Sequence, residues 1–225
     1  AHTASARAGA ASISRPRLRG WSHLVATVPA MVGTAVLVAL ADGDVGRQLA
    51  LLVYGGSSVL LFATSGVYHV GTWSPPVRAR LRRLDHANIF ILIAGTYTPV
   101  TLTLLSGAWK VAIISVVWGL AAAGVGIVLS PLHVPRWLLA GSYVAIGWVA
   151  IIALPVIAGA AGLGPLLLII AAGAMYSVGA ACYAARWPNL SPRWFGYHEV
   201  FHILVIAANA VFFTLMVVSV VPHDH

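Results

Sequence analysis

The hydrophobic residues of this chain fall into seven long runs that are separated by short polar breaks. A helix needs about 20 mostly apolar residues to cross the hydrocarbon core of a bilayer, and each run approaches that length. We therefore predict an all-α integral membrane protein with seven transmembrane helices. The predicted spans cover residues 21–40, 49–70, 87–105, 109–129, 138–158, 164–184 and 197–220, within one transmembrane domain over residues 21–225.

The breaks carry turn residues and are too short to contain a second soluble domain. Composition agrees with a lipid environment, since 60% of the residues are hydrophobic and 8% are charged. The single cysteine, Cys182, excludes a disulfide framework and a cysteine-based zinc site within the chain. Residues 1–20 contain four arginines and no apolar run, so we expect a disordered cytoplasmic tail and not a cleavable signal peptide.

The basic residues indicate the orientation, because Arg and Lys collect in cytoplasmic loops. The tail and the second, fourth and sixth loops contain eleven of them, whereas the opposite loops contain only Arg47 and Lys110. We therefore expect the N-terminus inside and the C-terminus outside. A bias towards Arg, Ala, Gly and Val suggests a bacterium, so we expect a multi-pass protein of a bacterial cytoplasmic (inner) membrane. The net charge of +8 is spread over short loops, which favours anionic lipid headgroups as partners and argues against nucleic acid.

Several polar side chains lie near the ends of predicted spans, where an ionisable group is costly and needs a reason. Predicted helix 2 ends with Ser65 and His69, helix 3 begins with Asp85, and helix 7 begins with His198 and His202. Helix 2 runs inward and helices 3 and 7 run outward. We therefore expect all three groups at one depth near the cytoplasmic face.

Three imidazoles at one depth form the ligand set of a catalytic zinc, whose open fourth position holds a water with a pKa near 7. The predicted metal ligands are His69, His198 and His202. Asp85 approaches from a third helix, and we predict that it handles the proton of that water. Ser65 is expected to orient a ligand or to contact the substrate. Asn209 continues the polar stripe of helix 7 inward, as expected for a cavity that accepts a lipid.

These residues resemble the hemolysin III family, the bacterial branch of the PAQR (progestin and adiponectin receptor) family within the CREST group of membrane hydrolases. The resemblance covers all seven spans and is most specific at Ser65-Gly-Val-Tyr-His69, at the segment from Asp85 to Pro99, and at His198-Glu-Val-Phe-His202. It implies zinc on the three histidines, with Asp85 and Ser65 completing a five-residue set. It also implies ceramidase-like chemistry, a role in membrane lipid homeostasis, and a link to the cytolysis for which the branch is named.

The segment from His198 to His202 also matches H-E-x-x-H, the metalloprotease motif in which the glutamate is the general base. We expect Glu199 instead to orient a histidine or to pair with an arginine of the inner loops, so a protease is the less favoured interpretation. A retinal protein is excluded, because the only lysine, Lys110, is not in the last helix. A carboxylate at the same depth argues against bis-histidine haem.

The other histidines are predicted to have structural positions. His86 lies about 100° around the helix from Asp85 and is expected to face headgroups or a neighbouring loop. His23 and His133 are expected near the interfaces. The four arginines between Pro76 and Asp85 are predicted to form a positive-inside loop that also attracts anionic headgroups.

Three functional hypotheses remain. The first is a zinc-dependent, ceramidase-like hydrolase of a lipid amide or ester, with Asp85 and Ser65 as its catalytic residues. The second is a non-catalytic membrane sensor or receptor in which the zinc is structural, and the third is a hemolysin-type, membrane-permeabilising protein. A water-activating zinc that faces acyl chains favours the first.

Overall fold

The computed structural model describes residues 16–222, and this part of the chain is built from helices. The helices are α1 (Trp21–Leu40), α2 (Val45–Val70), α3 (Pro75–Leu104), α4 (Gly107–Leu129), α5 (Arg136–Gly147), α6 (Leu154–Ala161), α7 (Leu163–Ala185) and α8 (Tyr197–Leu215). A 3₁₀ turn, Val149–Ile152, joins α5 to α6, and a π-helical turn, Met216–Val220, follows α8. The predicted tail up to residue 15 and the residues after 222 lie outside the described residues.

The described helices support the predicted multi-pass architecture. Six of them are long and apolar enough to cross a membrane, and α5 with α6 supplies a seventh crossing if the bent pair counts as one span. The orientation of the two ends stays a prediction.

Small residues let the first three helices approach one another closely. A Cβ atom on Gly66 of α2 would lie 2.8 Å from the Cα of Leu24 in α1, and one on Gly95 of α3 would collide with Ser57 of α2. Lipid tails give little hydrophobic drive for helix association, so such close packing holds membrane helices together. This packing fixes the ends of α1, α2 and α3 relative to one another.

Asn209 joins two helices and does not line a cavity. Its side-chain oxygen accepts a hydrogen bond from the Ser58 hydroxyl at 3.0 Å, and its backbone carbonyl accepts one from the Tyr54 hydroxyl at 3.0 Å. Both donors belong to α2, so these bonds tie α8 to α2 inside the bundle. Asn209 thus continues the polar stripe of α8 inward, as predicted, but its amide links two helices and is not part of the wall of the apolar cavity described below.

Helix α3 begins at Pro75, well before the predicted start at residue 87. Proline suits the first helical positions, where its missing N–H would be unpaired in any case. Hydropathy alone missed this start, since the first turns carry arginines and lie outside the apolar run. The arginines between Pro76 and Asp85 are therefore helical and not in a loop, and Asp85 is held nearly three turns inside α3.

The fifth span is broken, and the two halves meet at 54°. The Tyr97 hydroxyl of α3 donates a hydrogen bond to the Gly147 carbonyl and accepts one from the Ala150 N–H, both at 2.7 Å. These bonds satisfy backbone groups that the break exposes in an apolar environment. The prediction of one continuous helix over residues 138–158 is wrong. Pro155, near the start of α6, is the sequence signal that marks the break.

Candidate metal centre

Three histidines from two helices meet at one end of the bundle. His69 lies in the last turn of α2, and His198 and His202 lie in the first two turns of α8. One ring nitrogen from each histidine lies within 4.8 Å of the other two. The Nε2 atoms of His69 and His198 are 3.1 Å apart. The predicted proximity of these three side chains is confirmed.

The geometry of the three rings fits a bound metal ion. Zinc–nitrogen bonds of about 2.0–2.1 Å place two ligands of a tetrahedral ion roughly 3.3 Å apart, close to the 3.1 Å between His69 and His198. The Nδ1 atom of His202 is buried without a hydrogen-bond partner in the described part of the chain. Three imidazoles that each bring a ring nitrogen to within 4.8 Å of the others can therefore hold a cation.

Asp85 of α3 adjoins the three histidines. Its Oδ2 atom is 3.7 Å from Nε2 of His69, and the Ser65 side chain lies beside the same carboxylate. Both residues are buried, and a buried carboxylate is tolerated when it has partners. The structure thus places all five predicted site residues in one cluster. The roles assigned to Asp85 and Ser65 stay predictions.

His23 of α1 belongs to the same cluster: it lies near the end of its span, as predicted, but its side chain is buried inside the bundle. Its ring stacks on that of His202, with 3.8 Å between the ring centroids and 10° between the ring planes. The residue is only 2% exposed, because α1 packs against α8 as well as α2. The sequence contains one indication of this position, because His23 lies in the first turn of its span, at the end where the other polar residues are found.

His86 also faces the interior, contrary to the prediction that it faces headgroups or a loop. It lines the cavity described below, and its Nε2 atom is 3.4 Å from the Tyr183 hydroxyl. The cause is α5, which covers this face of α3: the Tyr143 hydroxyl donates a hydrogen bond to the His86 carbonyl at 3.0 Å. A sequence pattern does not show which neighbour covers a helix face.

Glu199 has both carboxylate oxygens engaged away from the three histidines. Its Oε1 accepts a hydrogen bond from Nε of Arg19 at 2.8 Å, and its Oε2 accepts one from the Gly196 N–H at 2.7 Å. The second bond caps the start of α8. The expected pairing with an arginine is confirmed, although the partner precedes α1 and is not in a later loop. The geometry gives Glu199 no position from which to act as the base of a metalloprotease.

Residues 16–20 are fixed against the loop that precedes α8. The N–H groups of Arg17 and Leu18 donate hydrogen bonds to the carbonyls of Arg193 and Trp194, at 3.0 and 3.3 Å. Gly20 has a φ of 85° and packs so closely on His69 that a Cβ there would collide with it. Glycine is needed for both reasons. The last part of the predicted disordered tail is therefore an ordered segment that supports His69.

An apolar cavity runs from the histidines through the bundle. It is lined at one end by Ser65, Asp85, His198 and His202, and at the other end by Leu105 and Ile113. Residues 85 and 105 are separated by about 30 Å along a helix, which is close to the thickness of the hydrocarbon core. The candidate metal centre is therefore the polar end of a long apolar chamber.

Comparison with known proteins identifies the family. The family model described as Haemolysin-III related matches residues 11–213. Hemolysin-3 of Bacillus cereus is 31% identical over 201 residues, which cover 88% of this chain and 87% of that protein. The Hemolysin-3 homolog of Bacillus subtilis (strain 168) is 32% identical over 190 residues, covering 83% and 84%. Human monocyte to macrophage differentiation factor is 31% identical over 86 residues, or 35% of this chain and 34% of that protein. The chain therefore belongs to the haemolysin III-related family of membrane proteins.

Proposed function

We propose that this protein is a zinc-dependent hydrolase that cleaves an amide or ester bond of a membrane lipid. The observation that carries this proposal is the continuity between the three histidines and the apolar cavity. A lipid in this chamber would have its polar bond at the histidines and its acyl chain among apolar side chains. Binding sites commonly combine an apolar chamber with a few polar groups in this way.

The residues that would hold the zinc are His69, His198 and His202. Three imidazoles with an open position are a usual ligand set of catalytic zinc. When bound, zinc polarises a carbonyl group and activates water for hydrolysis near neutral pH. His23 stacks on the ring of His202, and Gly20 packs on the Cβ and backbone of His69. Two residues at the start of α1 thus support two of these histidines.

Asp85 is the proposed proton acceptor and donor of the reaction. It lines the cavity within reach of His69, so its carboxylate can take a proton from the attacking water and return it to the leaving amine or alcohol. Ser65 lies beside the carboxylate and orients it. A purely structural zinc in a sensor or receptor needs no such carboxylate, and this favours the enzyme over the sensor.

We further infer that the histidine end faces the cytoplasm and that anionic headgroups approach it there. Arginines surround this end: Arg136 lies 4.9 Å from the ring centre of Tyr183, and Arg78 lies 5.4 Å from that of Tyr68. Each arginine near the surface contributes about 1 kcal/mol to the attraction of an anionic membrane.

The orientation is tested with a reporter fused after His225. Because eleven of the thirteen basic residues fall on one side of the predicted spans, a reporter that is active only outside the cytoplasm should give a signal. A reporter that needs the cytoplasm should be silent in the same position. The reverse pattern would mean that the number of spans is wrong by one and would contradict a cytoplasmic site.

The proposed activity is tested by adding lipids to purified, zinc-loaded protein in nanodiscs. The panel contains ceramide-like amides and lipid esters, and the measured quantity is released fatty acid. We expect release from at least one class, loss of release after chelation, and recovery on addition of zinc. If fully zinc-loaded protein hydrolyses no lipid of a broad panel, but a cellular phenotype depends on Asp85 and Glu199, the sensor hypothesis would replace the enzyme hypothesis.

Glu199→Gln separates the lipid hydrolase from a protease of the H-E-x-x-H type. Glu199 contacts Arg19 and Gly196, so the substitution should weaken the start of α8 while reducing hydrolysis far less than the roughly 10²-fold loss expected for a catalytic base. The measurement is kcat on the best lipid of the panel, together with the melting temperature. Abolished turnover in Glu199→Gln with normal turnover in Asp85→Asn would favour the protease.

A further inference from the structure

The wall of the cavity contains a buried tyrosine hydroxyl that the proposed reaction does not use. Tyr176 of α7 lines the cavity, and its hydroxyl oxygen is buried without a hydrogen-bond partner among residues 16–222. A buried tyrosine hydroxyl usually finds a partner, because leaving it unpaired lowers stability. Few such groups occur in native proteins, and each calls for an explanation.

Neighbouring polar groups of the same cavity wall have partners within the protein. The Tyr97 hydroxyl donates to the Gly147 carbonyl at 2.7 Å. The Trp148 indole N–H donates to the Ser177 hydroxyl at 2.8 Å, and Ser177 donates to the Gly173 carbonyl at 2.7 Å. Tyr176 therefore differs from Tyr97, Trp148 and Ser177, the polar side chains of this part of the wall, whose polar groups have partners within the protein.

Tyr176 lies at the depth of an acyl chain and not at the depth of a headgroup. Tyr183, on the same helix, has its ring centre 5.5 Å from that of His198. Tyr176 precedes it by seven residues, which corresponds to about 10 Å along α7. Its ring centre is 6.2 Å from that of Phe212, so Tyr176 lies in the part of the chamber that the acyl chain of a lipid would occupy.

We propose that the Tyr176 hydroxyl binds an oxygen-bearing substituent, a hydroxyl or a carbonyl, partway along the chain of the lipid that occupies the cavity. The inference rests on the proposed function, because it places the polar end of that lipid at the histidines. A plain chain leaves the buried hydroxyl unpaired, whereas an oxygenated chain pairs it. The protein should therefore bind the oxygenated chain in preference to the plain one, by the free energy of about one net hydrogen bond. The substrate class is therefore lipids with an oxygenated acyl chain.

The test is competition between stearic acid and stearic acid that is hydroxylated near the middle of its chain, with bound acids measured by native mass spectrometry. We expect wild-type protein to prefer the hydroxylated acid by about threefold to tenfold, the range of one net hydrogen bond. Tyr176→Phe removes one oxygen atom and should abolish this preference. Stearic acid hydroxylated next to its carboxylate should show no preference that depends on Tyr176.

Tyr54→Phe is the matched control, because it removes a buried hydroxyl that does have a partner, the Asn209 carbonyl. It should lower the melting temperature and keep the preference, whereas Tyr176→Phe should keep the melting temperature and lose the preference. A wild-type protein that binds neither acid or shows no preference, a preference that survives in Tyr176→Phe, or a melting temperature that falls as far as in Tyr54→Phe would each overturn the inference.

This experiment also separates the inference from the proposed function. The two acids carry the same carboxylate, so any contribution of a metal to binding cancels in the ratio. A clear preference in a protein that hydrolyses no lipid would support the inference and contradict the enzyme. Hydrolysis without any preference would do the opposite.

Discussion

Asp85→Asn should reduce lipid hydrolysis by a factor of about 10² or more while the bound zinc largely remains. Asparagine has nearly the size of aspartate, so the side chain still fits beside His69 and Ser65. It cannot take a proton from the attacking water, and this is the role that the structure allows for a carboxylate in the cavity, 3.7 Å from His69. The measurement is kcat at saturating lipid, with the zinc content of the same preparation.

Ser65→Ala provides a graded comparison for this substitution. Ser65 lies beside the Asp85 carboxylate, so its loss should leave the proton acceptor present but poorly oriented, and the fall in kcat should be smaller. Full hydrolysis by Asp85→Asn protein would remove Asp85 from the mechanism. Loss of zinc in Asp85→Asn would show that the carboxylate holds the metal and would contradict the separation of roles.

The meeting of His69, His198 and His202 follows from sequence because it depends only on depth and direction. His69 lies at the end of its predicted span, and His198 and His202 lie at the start of theirs. Because alternate helices run in opposite directions, counting the spans is enough to place these side chains at one end of the bundle. Spacing of four residues then puts His198 and His202 on one side of their helix. The structure confirms this proximity.

The packing of His23, His86 and Asn209 could not be predicted, because it depends on which neighbouring helix covers each helix face. His23 lies at the predicted depth, but only the packing of α1 on α8 shows that it stacks on His202. His86 is interior because α5 covers α3 there. Asn209 lies on the same side of its helix as His198, yet its side chain accepts a hydrogen bond from Ser58 of α2 and links the two helices. Helical periodicity gives an angle around the axis and does not name the element on that side.

The boundaries of α3 and of the fifth span show the limits of hydropathy. The first turns of α3 carry arginines and produce no apolar signal, although Pro75 and Pro76 mark a helix start. The break between α5 and α6 lies inside a continuous apolar run. Its polar groups are satisfied by Tyr97, more than forty residues earlier, and such a distant partner is not visible in local sequence.

His202→Ala should remove the bound zinc, because catalytic zinc needs three protein ligands and only two imidazoles would remain. His198→Ala should do the same from a half-buried position, which makes it the safer variant for folding. His86→Ala is the matched control, since His86 lines the same cavity but is not one of the three converging ligands. His86→Ala protein should therefore keep its bound zinc. Size-exclusion profiles show whether each variant remains folded.

The proposed zinc ion on the three histidines is tested most directly by the metal content of purified protein, measured by elemental analysis. Wild-type and His86→Ala protein should each carry about one zinc per chain, and His198→Ala and His202→Ala protein should carry almost none. Wild-type protein without stoichiometric metal after incubation with zinc, or stoichiometric zinc that survives both histidine substitutions, would contradict the claim.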